Sequence, residues 1–244
     1  MGTINGKLPQ IKNIDLFLGK KGIPDVVFLQ EVPSESLVKQ IAAKLKLPYA
    51  AFLTYKPLGS YGVGILARYT LSTPKILRQN GYASLSARMD FKGTSILLCS
   101  VHLVRILPLP VKDEQAVVSW SEFAKILYSE VFRYNQRSQD VDNLLAWLES
   151  EGVETVIVGG DCNTFPFSKA VRKMNSVFDD CFWPTWDYLT TSYPKVDFPI
   201  KPRIDHIFHS ANLKCHGAGV IRETVGDHFP VWAEIEMTTD TEKD

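Results

Sequence analysis

Apolar strand-like runs that end abruptly on an acid, an amide or a histidine recur along this sequence. The clearest is VIVGGDCNTFP, residues 156–166, where a β-branched run gives way to two glycines, Asp161 and Asn163. Such a run predicts a buried strand, and period-two alternation would direct both polar side chains to one side. A carboxylate and an amide there could hold a water and a phosphate, although Asp and Asn are also common turn residues.

Strand-like runs dominate the chain, and helical patterns are too sparse for a regular doubly wound sheet. The predicted strands are DVVFLQEV, YAAFLTY, YGVGILARY, ASLSARMDF, TSILLCSVHL, VETVIVGGD, RIDHIFHS, GAGVIRETV and PVWAEIEM. Helical spacing predicts helices in LPQIKNIDLFLGKKGIP, SESLVKQIAAKLKL and SQDVDNLLAWLESEG. This order favours one domain over residues 1–244, with two mixed sheets packed face to face and helices outside. An ordinary α/β sheet is the alternative.

Composition argues against strong global attraction to polyanions. The chain has 27 basic and 27 acidic residues and a formal net charge of zero, so a nucleic acid would have to be bound locally. Cys99 lies in an apolar run and reads as a buried free thiol, which favours a reducing, cytoplasmic location. No apolar run approaches the length of a transmembrane helix, and a signal peptide is expected only if the N-terminus is truncated.

Polar residues stand at the ends of strands far apart in the sequence. Each one alone has an ordinary explanation as a turn residue, a helix cap or a hydrogen-bonded core residue. Their recurrence at strand ends makes that explanation weaker. Besides Asp161 and Asn163, these residues are Glu31, His102, Asp205, Asp227 and His228.

The motifs DVVFLQEV, YGVGILAR, SVHL, GGDCNTFP, RIDHIF and GDHFPV occur in this order and resemble those of the endonuclease/exonuclease/phosphatase superfamily. Members of this superfamily are metal-dependent phosphodiesterases related to DNase I. The resemblance covers nearly the whole chain. It implies a DNase I-like four-layered α/β sandwich, in which two packed mixed β-sheets are flanked by helices.

The chemistry of phosphodiester hydrolysis requires a hard cation, an oriented water and donors for the phosphoryl oxygens. The resemblance assigns Glu31 to a bound Mg²⁺ or Mn²⁺, with Asp227 and Asn5 as further metal contacts. Asp161 would orient or deprotonate the attacking water, while Asn163 would donate to a phosphoryl oxygen.

The histidines are expected to divide into functional and structural groups. His228 is expected beside the phosphate with Asp205 as its hydrogen-bond partner, and His102 is a candidate donor to the phosphate or the leaving group. His206, His209 and His216 have no motif support and are expected to be satisfied or exposed.

Two further residues are candidates for substrate binding. Arg88 is either a phosphate contact or one half of a surface salt bridge. Trp186 could stack on a base or sugar ring, although aromatic residues in long loops often anchor the loop instead.

The N-terminus departs from the resemblance. Family members usually begin with a core strand that ends in an asparagine, whereas MGTINGKLPQ leaves too few residues for that strand. Asn5 is nearest to the expected position. A missing inner strand would expose the edge of its neighbour, so we expect lower stability or an intermolecular contact, including a homo-oligomer.

Residues 104–134 are a family-atypical insertion next to the predicted active site. The segment is expected to form a lid, a dimer contact or a lipid-facing ridge, or else a helix packed on the flank of the domain. The tail, residues 238–244, is expected to be flexible.

The expected function is divalent-metal-dependent hydrolysis of a phosphodiester, with nucleic acid or a nucleotide-like ester as substrate. The alternatives are a phospholipid or sphingomyelin phosphodiesterase, a small-molecule phosphatase and a catalytically silent binding protein.

Overall fold

A computed structural model describes residues 22–56, 59, 61–105, 119–183, 185–194, 201, 203–223 and 227–238. Asn5, the first predicted helix and the expected missing strand lie outside these residues, as do residues 106–118 and 239–244.

Eleven strands and four α-helices are formed in the described part of the chain. The strands are β1 (Val26–Val32), β2 (Tyr49–Thr54), β3 (Gly62–Ala67), β4 (Lys75–Gln79), β5 (Tyr82–Phe91), β6 (Thr94–His102), β7 (Val156–Asp161), β8 (Asp179–Asp180), β9 (Asp205–His209), β10 (Leu213–Val220) and β11 (Val231–Met237). The helices are α1 (Glu35–Leu45), α2 (Trp120–Phe132), α3 (Gln136–Ser150) and α4 (Lys169–Met174). A 3-10 turn spans Trp186–Leu189.

Helix starts follow from local sequence. Ser34 accepts a hydrogen bond from the Leu37 amide at the start of α1, as the serine cap in the sequence predicts. A full capping box between Ser119 and Glu122 begins α2. The sequence did not predict β4 or α4, because a five-residue edge strand and a six-residue helix carry too little periodicity.

The largest sheet has the strand order β4-β5-β6-β7-β9-β8. Its β6 and β7 are parallel, while its other pairs are antiparallel, so this sheet is mixed as predicted. Helices α3 and α4 cover one of its faces through a core that includes Leu144, Val171 and Phe208.

The opposite face of this sheet is covered by two smaller sheets, β1-β3-β2 and β10-β11. Ile65 of β3 packs in one core with Leu85 of β5, and Ala218 of β10 packs in another with Ile207 of β9. Helix α1 covers the outer side of the three-stranded sheet. The four layers are those expected, and the described strands of the second layer pair antiparallel in two sheets.

A groove of about 1020 Å³ separates the two smaller sheets. Strands β1 and β11 form its walls, and side chains that include Ile96, Ile157 and Ile207 line it. Within the described residues, β1 pairs only with β3 and β11 pairs only with β10. Each strand therefore has one edge without a strand partner in this part of the chain. None of the described helices combines the length and hydrophobicity needed to cross a membrane.

Candidate active site

Strand register brings three candidate residues to one end of the large sheet. His102 of β6 is paired with Asp161 of β7, and Asp161 is in turn paired with Asp205 of β9. These residues lie side by side on three adjacent strands, although they are up to about a hundred positions apart in the sequence. All three are almost fully buried.

The glycines of VIVGGD allow β1 of the second layer to approach this site. A Cβ atom on Gly159 would lie 2.5 Å from the Phe28 ring, and one on Gly160 would lie 2.2 Å from the Val101 carbonyl oxygen and 2.7 Å from Gln30 Nε2. Only glycine therefore fits the observed approach of β7 to its neighbours. Gln30 immediately precedes Glu31, so this close contact carries Glu31 to the site.

Two candidate residues have left-handed backbone conformations. Glu31 has φ +50° at an irregularity in the β1–β3 pairing, and Asn163 has φ +49° just beyond β7. Positive φ is uncommon for residues other than glycine and is found preferentially at functional sites. Here it redirects the chain where the strands end.

His228 and Asp205 form a buried pair. His228 Nδ1 lies 2.8 Å from Asp205 Oδ2. Burial disfavours the charged imidazole, but Asp205 and Asp161 outweigh it and raise the pKa of His228 to about 9. Burial likewise opposes the charged form of Asp205, yet the pKa of Asp205 is lowered by His228 and by hydrogen bonds. The expected partnership of these residues is present in the structure.

Asp161 Oδ2 is approached by three nitrogen atoms. Asn163 Nδ2 lies 3.1 Å away, His102 Nε2 3.5 Å and His228 Nε2 3.9 Å. Burial, supported by the nearby Asp205 charge, raises the pKa of Asp161 to about 8 against the opposing effect of His228. Asp161 therefore binds and releases its proton much closer to neutral pH than an exposed carboxylate.

Asn163 holds the turn that follows β7. Its backbone N–H donates to Asp161 Oδ1 at 2.8 Å, and its side-chain amide donates to the Leu103 carbonyl at 3.0 Å and to Asp161 Oδ2. Both amide hydrogens are thus directed to protein oxygens in this structure. Donation to a phosphoryl oxygen stays a prediction that would require one of these bonds to exchange.

His102 is fully buried, and burial together with the Arg105 charge lowers its pKa to about 3. Its Nδ1 lies 2.6 Å from the Tyr55 hydroxyl. Its Nε2 lies 3.7 Å from Glu31 Oε1, beside Asp161 Oδ2, and has no hydrogen-bond partner among the described residues. This nitrogen is therefore available to a bound group.

Glu31 and Asp227 complete the acidic side of the site. Burial raises the pKa of Glu31, although the Arg105 guanidinium, 2.6 Å from Glu31 Oε1, opposes the shift. Burial also raises the pKa of Asp227, with His228 opposing it. Burial thus disfavours the charged forms of both Glu31 and Asp227. The two carboxylates also repel each other electrostatically.

The donor set fits a hard divalent cation. Glu31, Asp161 and Asp227 offer buried carboxylate oxygens, and a cation would relieve the cost of ionising them together. Among the described residues, the group whose ligand atoms all lie within 4.8 Å of one another is a different one, Asp161, Asp205 and His228. The raised pKa of His228 favours its protonated form, so Nε2 would have to lose its proton before this group could hold an ion.

Arg88 does not belong to this site, which corrects the expectation of a phosphate contact. Its guanidinium donates to the Glu151 carbonyl at 2.7 Å and lies 3.6 Å from Glu151 Oε2. Arg88 pairs with Leu97 in the β5–β6 register, about 17 Å along the strand from His102. It links β5 to the end of α3, as the salt-bridge alternative anticipated.

The other candidates have the following environments. Trp186 is fully exposed in its 3-10 turn, so stacking on a substrate ring stays a prediction.

The three histidines without motif support are accounted for as expected. His206 contacts the Thr164 carbonyl oxygen at 2.9 Å, His209 contacts the Ser210 carbonyl oxygen, and the exposed His216 pairs with Glu236. Cys99 is a buried free thiol.

Sequence reasoning missed three residues of the site. Tyr55 contacts His102, Arg105 binds Glu31, and the Tyr193 ring lies 4.6 Å from the His228 ring between centroids. Arg105 stands only three positions beyond His102, a proximity that could have identified it. Tyr55 and Tyr193 carry no comparable local signal.

Comparisons with known proteins agree with this architecture. The model of the Endonuclease/Exonuclease/phosphatase family matches residues 4–228. None of the curated proteins matches this sequence.

Solved structures with the same fold are similar over nearly their full length. The endonuclease/exonuclease/phosphatase from Bacteroides vulgatus is 15% identical with a TM-score of 0.67, and the alignment covers 94% of this chain and 90% of that one. Humanized D. rerio TDP2 is 17% identical with a TM-score of 0.64, covering 93% and 91%. The mannosyl-6-phosphatase from Bacteroides thetaiotaomicron VPI-5482 is 14% identical with a TM-score of 0.66, covering 97% of both.

At these identities the structures establish the DNase I-like fold, and the family match establishes the class of reaction. The motif order, the strand-end site and the match over most of the sequence agree. This protein belongs to the endonuclease/exonuclease/phosphatase family and is a hydrolase of phosphate esters.

Proposed function

We propose that this protein is a divalent-metal-dependent phosphodiester hydrolase whose substrate is a nucleic acid or a nucleotide-like diester. The observation that carries the proposal is the convergence of His102 Nε2 and His228 Nε2 on Asp161 Oδ2, at 3.5 and 3.9 Å. Both distances exceed a hydrogen bond, which leaves these nitrogens and the carboxylate able to contact one bound group. Donors aimed at a common point are what developing charge on a phosphoryl oxygen requires.

The residues of the site can divide the reaction between them. Asp161 Oδ2 would accept a proton from the attacking water, and its raised pKa of about 8 suits a base near neutral pH. His228, held protonated by Asp205, would donate from Nε2 to a phosphoryl oxygen. His102 would donate from Nε2 to the same phosphoryl group.

Glu31 and Asp227 are the proposed ligands of the cation, with Asn5 as a further candidate outside the described residues. Bound Mg²⁺ or Mn²⁺ supplies positive charge to the phosphoryl oxygens. The family is in general dependent on divalent metals. Arg105 now contacts Glu31, so cation binding would compete with that ion pair.

The charges of the site favour diesters over monoesters. Even when Asp161 is protonated, three buried carboxylates, Glu31, Asp205 and Asp227, outnumber the two cationic groups, Arg105 and His228. A monoanionic diester is repelled less by such a site than a dianionic monoester, even when one divalent cation is bound.

A comparison of two substrates with the same leaving group tests this proposal. Bis(4-nitrophenyl) phosphate and 4-nitrophenyl phosphate would be compared with Mg²⁺, with Mn²⁺ and with a chelator. We expect cation-dependent turnover in which kcat/KM is higher for the diester. Preference for the monoester would contradict the diesterase assignment and favour a phosphatase.

A lipid diester is the second candidate, because α2 exposes an aromatic stripe. Trp120, Tyr128 and Phe132 are 69%, 54% and 68% exposed, and spacings of four or eight residues place them on one helix face. Such a face could contact a lipid interface. Hydrolysis of sphingomyelin in vesicles, with none of DNA or RNA, would favour this candidate, and the reverse result would favour a nuclease.

A further inference from the structure

The hydroxyl group of Tyr55 lies between two residues of the candidate site. It accepts a hydrogen bond from the Glu31 backbone N–H at 2.8 Å and lies 2.6 Å from His102 Nδ1. Tyr55 follows β2 in the outer sheet, whereas His102 ends β6 in the central sheet. Packing of the two sheets therefore creates this contact between residues that are 47 positions apart.

The proton inventory of this contact assigns the tautomer of His102. A backbone N–H can only donate, so the Tyr55 oxygen accepts from Glu31 and its own proton remains available for an acceptor. His102 Nδ1 is at hydrogen-bond distance to receive it. If Nδ1 carried a proton instead, two donors would face the same hydroxyl oxygen. The Tyr55 proton would then lose this acceptor.

The other ring nitrogen supports the same assignment independently. Nε2 faces Asp161 Oδ2 at 3.5 Å and Glu31 Oε1 at 3.7 Å. When these carboxyl groups are ionised, a lone pair on Nε2 would be repelled by their oxygens, while an N–H is attracted. Burial raises the pKa of Tyr55, so its hydroxyl keeps the proton that this arrangement needs.

We infer that Tyr55 is a positioning residue that fixes His102 in the Nε2–H tautomer. The imidazole then presents a permanent donor to the centre of the site, and the same hydroxyl restrains the left-handed backbone of Glu31. The identity of the group that receives this hydrogen bond, a phosphoryl oxygen, rests on the proposed function. The tautomer itself does not.

Nitrogen-15 spectra of the histidine rings test the tautomer without any substrate. The resonances of His102 are identified by their loss in His102→Gln. We expect a protonated Nε2 and an unprotonated Nδ1 in the wild type, and loss of this preference in Tyr55→Phe. A protonated Nδ1 in the wild type, or an unchanged pattern in a folded Tyr55→Phe variant, would overturn the inference.

Tyr82→Phe is the matched control for this measurement. The Tyr82 ring also lies edge-on to the His102 ring, with centroids 4.6 Å apart. Its hydroxyl, however, interacts with the backbone of Arg105. The control should therefore retain the wild-type tautomer, and a change as large as that in Tyr55→Phe would attribute the effect to general packing and overturn the inference.

A double-mutant comparison tests the catalytic consequence. Tyr55→Phe should lower kcat by about 10- to 100-fold, a typical effect of residues that orient a functional side chain. In the His102→Gln background it should have an effect of less than about 2-fold, since a glutamine amide always carries a donor hydrogen. Equal losses in both backgrounds would show that Tyr55 acts only through Glu31 and would overturn this role. A wild type with the Nε2–H tautomer but no diesterase activity would support the tautomer assignment and contradict the proposed function.

Discussion

At the scale of single residues, the pKa values of His228 and Asp161 are both raised, but for different reasons. Burial works against a charge on either group, but His228 gains two nearby carboxylates whereas Asp161 has the Asp205 charge beside it. The imidazolium of His228 therefore lies next to the carboxyl group of Asp161, which keeps its proton to a higher pH than an ordinary aspartic acid. This pairing is suited to proton transfer near neutral pH.

Removal of either group should lower turnover strongly. We expect His228→Ala and Asp161→Ala each to reduce kcat by about 10²- to 10⁴-fold, the usual cost of losing general acid–base or electrostatic catalysis. Arg88→Ala is the control, because Arg88 contacts Glu151 outside the site. Near-wild-type turnover in both of the first two variants would contradict the proposed roles.

Stability without a bound cation should fall as the pH rises above 6.5. The pKa of His228 is raised from 6.5 to about 9, so its contribution is complete below pH 6.5 and is lost as the pH approaches 9. The raised pKa of Asp161, about 8, also lowers the stability as the pH rises from 6.5 to about 8. The lowered pKa of His102 reduces the stability only as the pH falls below 6.5, so it does not contribute to this loss.

Thermal melting at pH 6.5 and pH 9 in a chelator measures this loss, and we expect a lower melting temperature at pH 9. His228→Gln should at least halve it. His216→Gln, which alters an exposed histidine, should leave it unchanged. A melting temperature independent of pH in the wild type would contradict these pKa shifts.

At the scale of secondary-structure elements, the site depends on how closely β7 approaches β1. Gly159→Ala places a Cβ atom 2.5 Å from the Phe28 ring, so the two layers must separate locally. We expect a loss of about 1–3 kcal/mol in the free energy of unfolding, together with weaker cation binding because Glu31 moves with β1. Denaturant melts and Mg²⁺ titration calorimetry measure the two effects.

Gly217→Ala is the control for this substitution. Its Cβ atom would meet the Trp232 ring at an ordinary contact distance of 3.5 Å. If Gly217→Ala and Gly159→Ala have the same effects on stability and cation binding, the close approach of β7 to β1 is not what positions Glu31.

Helix α2 is fixed beside the site by a buried acid. Glu130 pairs with Arg137 of α3, accepts from Asn135 Nδ2 at 2.7 Å and accepts from Thr164 Oγ1 at 2.6 Å, next to Asn163. Phe123 of the same helix lies in a core with Phe165. The described part of the 104–134 segment is thus packed against the turn that carries Asn163, and its control of substrate access stays a prediction.

Glu130→Gln should destabilise the protein by about 3 kcal/mol, because it leaves the Arg137 charge without its buried partner and turns an amide donor toward other donors. Glu122→Gln is the matched control on the same helix, since Glu122 is exposed and glutamine also serves in a capping box. Chemical denaturation of both variants measures the difference. A Glu130→Gln variant as stable as the control would contradict a structural role for this network.

At the scale of the whole molecule, the layers pack through several hydrophobic clusters, and the described strands of the second layer lie in two sheets. The groove lies between β1 and β11. On the facing edges of these two strands, the backbone N–H and C=O groups have no strand partner among the described residues. A β-strand that paired with both edges would complete the layer. The expected absence of an inner strand concerns residues outside the described part of the chain and stays a prediction.

The sequence by itself determined the local features of this protein. Alternation and turn residues predicted β1, β6, β7, β9 and β11, and the polar residues next to these strands were predicted to form the candidate site. This succeeded because each strand and its terminal residue form one continuous pattern. The order of those motifs also indicated the family that the comparisons confirm.

Only the tertiary structure decided which side chains act together. It excluded Arg88, which lies on a predicted strand but about 17 Å from His102, and it added Arg105 and Tyr55. No local sequence pattern determines the pairing register of the strands or the distance between the two layers. The hydroxyl of Tyr55 reaches His102 because two sheets pack face to face, and such a contact depends on the whole core.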